Sequence, residues 1–417
     1  MLSAMSLTET MDADQAFSWR APALRGAPAA FRTALKVAAE TWQGPPLALV
    51  LPSGQAFRLK GSVDAPEVKL IINDFRFIRR ILASGDIGFA EGFIEGDWDT
   101  PDLSALLEAF SENFDGLAQL MTGNPFARAL SAISHALNRN SRRGARRNIH
   151  AHYDLGNAFY GRWLDPSMTY SSALFTAPDL SLEAAQREKY AALARAIGVQ
   201  PSHQVLEIGC GWGGFAEFVG REIGARVQAI TISKAQHDYA RRRIFEAGLA
   251  ETVDIRLVDY RDVEGAFDRI ASIEMFEAVG EAYWPTYFGR VAERLKPGGL
   301  AGLQIITIAD RLFDEYSRRP DFIQRYIFPG GMLPSETRLK AETSTAGLEW
   351  VGVRRFAADY ARTLRAWADA FEQNWDGVRG LGFDERFRRL WLYYLGYCEA
   401  GFRTGRTDVI QLALAKG

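Results

Sequence analysis

VLEIGCGWGG, residues 205–214, is the stretch on which the fold turns. Val205, Leu206 and Ile208 surround Glu207 in a short apolar run that reads as a strand. Gly209, Gly211, Gly213 and Gly214 then crowd a loop, and helical spacing follows. Glycines in such a loop let the backbone turn sharply and approach a ligand with no Cβ in the way. The helix opening after it offers free N–H groups and the positive end of its dipole. A dinucleotide loop wants the spacing G-x-G-x-x-G and an acid at the end of the second strand. Here the second strand ends at Thr231, in TISKAQ, and the acid sits ahead of the loop at Glu207. The loop fits a cofactor that brings no diphosphate to cradle.

Working outward, short β runs recur at Gln204–Ile208, Arg226–Thr231, 253–258, 269–273 and 301–308, with helical segments between them. That alternation predicts an α/β fold with a doubly wound sheet. Residues 310–345 interrupt it with aromatic, Gly and Pro residues and read as a helical cap insertion. Upstream, residues 1–125 read as a smaller α+β domain. Its signs are a hairpin across 46–60 turning at Ser53-Gly54, a strand at 68–73, and helices at 74–84 and 102–110. Gly85, Gly88, Gly92 and Gly96 read as turn punctuation between those helices. Residues 126–150 form a basic linker carrying Arg139, Arg142, Arg143, Arg146 and Arg147. It is either a solvated connection or a contact for anionic lipid headgroups. Residues 151–417 are expected to be one domain.

Composition narrows the classes. The 417 residues carry a net charge of -2, so no global basic field points to nucleic acid. The two cysteines, Cys210 and Cys398, are far apart, which suits a reducing cytoplasm. The five histidines show no metal-ligand spacing, so no metal is expected. No run approaches the ~20 apolar residues of a membrane span. A lipid substrate would be met peripherally, from the inner face of the membrane. The 12% aromatic content fits an aromatic core or a wall for an acyl chain or cation.

The residues past the linker resemble the cyclopropane-fatty-acyl-phospholipid synthase family, including the mycolic acid cyclopropane synthases. The matching runs, in order, are HYDLGNAFYGRWLD, MTYSSALF, VLEIGCGWGG, TISKAQ, DYRD, FEAVG, YIFPGGMLPS and YYLGYCEAGFR. GDIGFAEGFIEGDWD, residues 85–99, is similar to the lipid-associated N-terminal part of longer bacterial members. The resemblance implies a class I methyltransferase using S-adenosylmethionine. It places Tyr170 and Ser171 on the cofactor, and Glu207, Gly209, Gly211 and Gly213 in the loop around its methionine part. Thr231 and Gln236 would hold the adenosine, and Tyr260 and Arg261 would flank the adenine. The implied substrate is the unsaturated acyl chain of a membrane phospholipid. A homodimer is left open.

The resemblance also implies a bound bicarbonate as base, held by a cluster in which Glu277 matches the carboxylate, Tyr360 the tyrosine and Ile306 a backbone N–H. Three positions depart from the pattern: Ser172 replaces a cysteine, Gln304 a histidine, and Ala278 a frequent histidine. Ser and Gln hydrogen-bond an anion but do not titrate near neutral pH. Cys398 matches a cysteine often labelled a nucleophile. No step needs a covalent enzyme intermediate, and YYLGYCEAGF offers no basic partner, so a packing role is the simpler reading.

An alkene is a poor nucleophile, so alkylating it needs close alignment in a dry pocket. Aromatic faces can stabilise the resulting cation. Loss of a proton from the new methyl with closure gives a cyclopropane; other losses give a methyl-branched, methylene or methyl-alkene chain. A non-catalytic lipid-binding protein and a small-molecule O- or N-methyltransferase are the rivals from other classes.

Overall fold

Gln204–Ile208 (β6), Arg226–Thr231 (β7), Val253–Leu257 (β8), Phe267–Ile273 (β9) and Leu295–Ile308 (β10) form parallel neighbours in a seven-stranded sheet. Their side chains alternate between two cores, as a period of two requires. Val205, Val227, Ala229 and Ile255 pack with Tyr190, Phe215 and Ile244 on one face. Leu206, Ile230, Ile270 and Leu303 pack with Trp284, Phe288 and Val291 on the other. A sheet buried on both faces is the environment of parallel strands. Two strands the sequence did not announce complete it, Leu348–Arg355 (β11) and Thr407–Lys416 (β12). Strand β12 lies antiparallel between β10 and β11, with Gln411 opposite Gln304. The order is β11-β12-β10-β9-β6-β7-β8. Strand order reverses between β6 and β9, the place where open α/β sheets bind ligands beyond the carboxyl ends of their strands.

This computed structural model describes residues 26–113 and 155–417, with Leu24 and the strand Met11–Asp12 (β1). The basic segment, Arg139 to Arg147 included, lies outside the described residues. No helix among the described residues is long and apolar enough to cross a membrane. The insertion carries the helices Asp310–Tyr316, Phe322–Tyr326 and Glu336–Thr345 between β10 and β11. The second begins at a capping box, Asp321 with Gln324.

The chain divides into two compact units. One holds residues 133–383 and 405–417, whose described part contains the seven-stranded sheet. The other combines residues 1–132 with 384–404. A division made along the chain therefore misplaces one element: within 151–417, the helix Glu385–Arg403 is grouped with the N-terminal elements. Its packing there explains why. The Arg389 guanidinium lies 4.1 Å from the centre of the Phe93 ring and donates to Trp98 O at 2.9 Å. The Ser104 hydroxyl donates to the buried Glu399 carboxylate at 2.7 Å.

The small sheet of this unit has Leu47–Val50 (β2), Ala56–Leu59 (β3), Val68–Ile72 (β4) and Trp98–Asp99 (β5), in the order β1-β3-β2-β4-β5. Strands β2 and β3 are the expected hairpin, turning through Gly54 at φ 81°. The turn region expected between 85 and 96 is instead a helix, Asp86–Ile94, bounded by Gly85 and Gly96 at positive φ. Gly88 and Gly92 sit inside it because two neighbours come close. A Cβ on Gly88 would lie 2.0 Å from Arg80 O, and one on Gly92 would lie 2.7 Å from Phe77 Cβ.

Candidate active site

The glycine loop leaves β6 at the reversal point. The N–H groups of Gly209 and Cys210 both donate to Ile230 O, at 3.0 and 2.9 Å, fixing the loop to the end of β7. Gly209 and Gly211 have φ of 81° and 51°. A Cβ on Gly209 would meet Met275 Cγ at 2.5 Å, whereas one on Gly211 would enter open space. Glu207 is buried, and burial pushes its carboxyl up to about 8. Its Oε2 has no hydrogen-bond partner among the described residues. A buried acceptor beside an open glycine cradle fits the cationic, diphosphate-free S-adenosylmethionine.

The other expected cofactor residues gather round the same strand ends. Thr231 and Gln236 meet at 3.0 Å after β7. Arg261 is clamped by Asp259 through two hydrogen bonds of 2.8 and 2.6 Å, so its charge is already matched. Tyr260 packs edge-on against Tyr287, ring centres 5.4 Å apart. Tyr170 lies among Tyr160, Trp163 and Trp367, at 5.3, 5.6 and 5.3 Å. Ser171 Oγ accepts from Lys189 Nζ at 2.6 Å. Arg243 bonds the loop's Trp212 O at 3.5 Å and Ser167 O at 2.7 Å, tying the segment before Tyr170 to the loop.

The expected catalytic cluster assembles around a residue the sequence reading passed over. Ser172 N and Gln304 Nε2 both donate to Glu274 Oε1, at 2.8 and 2.7 Å. The Tyr360 hydroxyl donates to Glu274 Oε2 at 2.6 Å. Ile306 N donates to Glu277 Oε1 at 2.6 Å, and the buried Glu277 Oε2 has no hydrogen-bond partner among the described residues. Ser172 and Gln304 are wholly buried beneath the carboxylate. Lys189, also wholly buried, supplies the positive charge that favours ionised Glu274. Cys398 belongs to the helix Glu385–Arg403 of the other unit and is not among the residues gathered here.

The two carboxylates differ in their surroundings. Glu274 has three donors and a nearby ammonium; Glu277 has one donor. Burial, then the charge of Glu274, raises Glu277 to about 8, so at neutral pH Glu277 holds a proton. Burial raises Glu274 as well, opposed by the Lys189 charge and the three hydrogen bonds it accepts. A carboxyl raised from 4.5 to about 8 binds its proton more tightly when folded, so stability is full below 4.5 and is lost as pH rises to about 8. Glu277→Gln, neutral at every pH, should flatten that decline. Melting temperatures of both proteins between pH 5 and 9 check this; parallel curves would mean that Glu277 is ionised in the fold.

Sheet order and glycine loop together define a class I S-adenosylmethionine-dependent methyltransferase. Residues 140–412 match the family described as mycolic acid cyclopropane synthetase, and the chain belongs to that family. It is 40% identical to the tuberculostearic acid methyltransferase of Mycobacterium tuberculosis, over 89% of this chain and 88% of the relative. It is 35% identical to the cyclopropane-fatty-acyl-phospholipid synthase of Escherichia coli K12, over 82% and 86%. The crystal structure of the mycolic acid cyclopropane synthase CmaA1 complexed with SAH and CTAB is similar at 29% identity, with a TM-score of 0.61, covering 65% of this chain and 98% of that one.

Proposed function

We propose that this protein methylates a double-bond carbon in the unsaturated fatty acyl chains of membrane phospholipids, meeting them peripherally at the membrane surface. The observation that carries the reading is a carboxylate cluster next to the cofactor loop, flanked by aromatic rings in tilted and edge-on contact. Polar substrates such as amines or hydroxyls present their own lone pair and need no such wall.

When bound, S-adenosylmethionine supplies an electrophilic methyl group. The chain's residues do the rest. The glycine loop and Glu207 fix the cofactor, so that the methyl is presented in one direction. Tyr170, Trp367 and Tyr360 form a connected aromatic group, with Trp367 5.3 Å from Tyr170 and 6.2 Å from Tyr360. Their faces favour the positive charge that methylation leaves on the chain. They also exclude water, which would capture that cation.

Ring closure agrees with the family's description and with the phospholipid synthase to which the chain is similar. A second reading, an acyclic methylene or methyl-alkene product, is favoured by the rebuilt cluster of Ser172, Gln304 and Glu274 and by the likeness to a fatty acid methyltransferase. Both products are one CH2 heavier than the substrate chain. Lipids extracted from a host rich in monounsaturated chains and expressing the protein should show that gain by mass spectrometry. Proton NMR then separates ring protons from vinyl protons. Phospholipids without any such gain, from cells holding folded protein, would overturn the reading.

A further inference from the structure

The bicarbonate implied by the resemblance does not fit these residues. The donors expected to hold it are engaged: the Ser172 hydroxyl on Ala173 O at 3.0 Å, Gln304 Nε2 and Tyr360 OH on Glu274, and Ile306 N on Glu277; Ser172 N is on Glu274 as well. An anion placed among them would face two carboxyl groups and displace their hydrogen bonds.

We propose that the Glu274 carboxylate is itself the catalytic base, built into the chain where a dissolved anion would otherwise sit. This rests on the reading of the reaction as alkene methylation. Glu274 follows β9 directly, and its N–H donates to Gln304 O at 2.8 Å. The next residue, Met275, lies against Gly209 of the cofactor loop. Glu274 is thus one residue from the wall of the cofactor site. Its backbone is left-handed, φ 48°, one of only two such non-glycine positions among the described residues. Strain of that kind persists where the surroundings hold it and collects at functional sites. Two donors occupy Oε1 and one occupies Oε2. A carboxylate has about four acceptor positions, so one on Oε2 is left to receive a proton. The residue as a whole is only partly buried, in contrast to the sealed Ser172 and Gln304 under it.

The step balances without a co-reactant. A new C–C bond joins the methyl carbon to one alkene carbon, and the electron pair of the broken C–S bond stays on sulfur. The neighbouring alkene carbon is left cationic. The C–H bond of the new methyl then breaks. Its electron pair forms the third ring bond, or a C=C bond after a hydride shift, and its proton passes to Glu274 Oε2. Nothing is oxidised or reduced.

The test uses the full chain, S-adenosylmethionine and vesicles of monounsaturated phosphatidylglycerol, in buffer stripped of carbon dioxide and with bicarbonate added back. Wild-type turnover should be the same in both. Glu274→Gln, which keeps size and loses the base, should turn over on the order of 100-fold more slowly, with cofactor affinity unchanged. Glu274→Gly frees the donors and relieves the backbone, so added bicarbonate should restore part of its rate. A second readout needs no substrate: 13C-labelled bicarbonate should show no binding to the wild type and binding to Glu274→Gly by NMR. Wild-type turnover that collapses without bicarbonate, labelled bicarbonate bound by the wild type, or a fully active Glu274→Gln enzyme would each overturn the proposal. If no vesicle lipid is methylated at all, the reaction assigned above fails instead, and the binding experiment still decides whether Glu274 fills the anion's place.

Discussion

Gly211→Val is expected to weaken S-adenosylmethionine binding by about 100-fold, close to 2.7 kcal/mol. At Gly211 an added Cβ meets no atom within 4 Å, so a side chain there would project into the space proposed for the cofactor. The backbone there, at φ 51°, also disfavours a β-branched residue, at a cost of roughly 1–2 kcal/mol. Gly211→Ala carries most of the backbone cost and less of the steric one, so comparing the two variants separates fold from site. Gly209 is a different case. Its Cβ would press on Met275, between the two carboxylates in sequence, so Gly209→Ala should lower turnover as well as affinity. Calorimetry measures the affinities, and melting curves show whether each variant is folded. A folded Gly211→Val protein with wild-type affinity would remove the cofactor from this loop.

The first parallel strands were legible almost to the residue, whereas β10 begins at Leu295, six residues before the expected 301. Gln204–Ile208 and Arg226–Thr231 are the observed limits of β6 and β7. Runs buried on both faces are apolar at nearly every position, and glycine or polar residues stop them sharply. Strands β11 and β12 were not legible. VIQLALA in β12 is an apolar run broken only by Gln411, a pattern that a buried strand and a buried helix share. Its place between β10 and β11 is decided by partners far away in the chain. The same holds for Glu385–Arg403, whose helical spacing is plain but whose unit is set by Phe93, Trp98 and Ser104. Gly88 and Gly92 were read as breaks because a glycine's local freedom is visible in sequence, and the close approach of a second helix is not.

At the site, most members were named in advance but their centre was not. Tyr360, Ile306 and Glu277 stood out by matching a pattern, and Ser172 and Gln304 by departing from it. Glu274 lies three residues before Glu277 in SIEMFEAVG, and a lone acid at a strand end reads as a cap. Lys189 carried a clearer signal that was missed. In LEAAQREKYAALARA it shares a helix face with Ala185, Ala192 and Leu193 by i, i+3 and i+4 spacing. A lysine on the apolar stripe of a helix needs a buried counter-charge. The carboxylates themselves were therefore inferable from the helix.

Lys189→Met should cut turnover by about 100-fold near neutral pH, by acting through Glu274. The ammonium is wholly buried, 2.6 Å from Ser171 Oγ and 4.6 Å from the centre of the Tyr190 ring. Burial lowers its pKa, while Glu274, Asp165 and Glu207 hold it up. Burial raises the Glu274 carboxyl above its ordinary range, and by the same coupling the ammonium opposes that rise without cancelling it. Methionine keeps the unbranched stem and much of the packing but removes the charge. Glu274 then loses the cation that favours its ionised form, and its pKa rises further. A base works only when ionised, so the ascending limb of the pH–rate profile should move to higher pH, and raising the pH should recover part of the lost rate. A purely structural lysine would behave otherwise: its loss would lower stability and scale the rate down equally at every pH. The measurement is a pair of pH–rate profiles at saturating S-adenosylmethionine. An unshifted profile in Lys189→Met would separate the lysine from the base and leave it as a packing residue. Lysine is suited to this position because it can give up its proton when buried, whereas arginine stays charged at any working pH. Lys189→Arg should therefore keep the limb at or below its wild-type position even where its bulk slows the reaction.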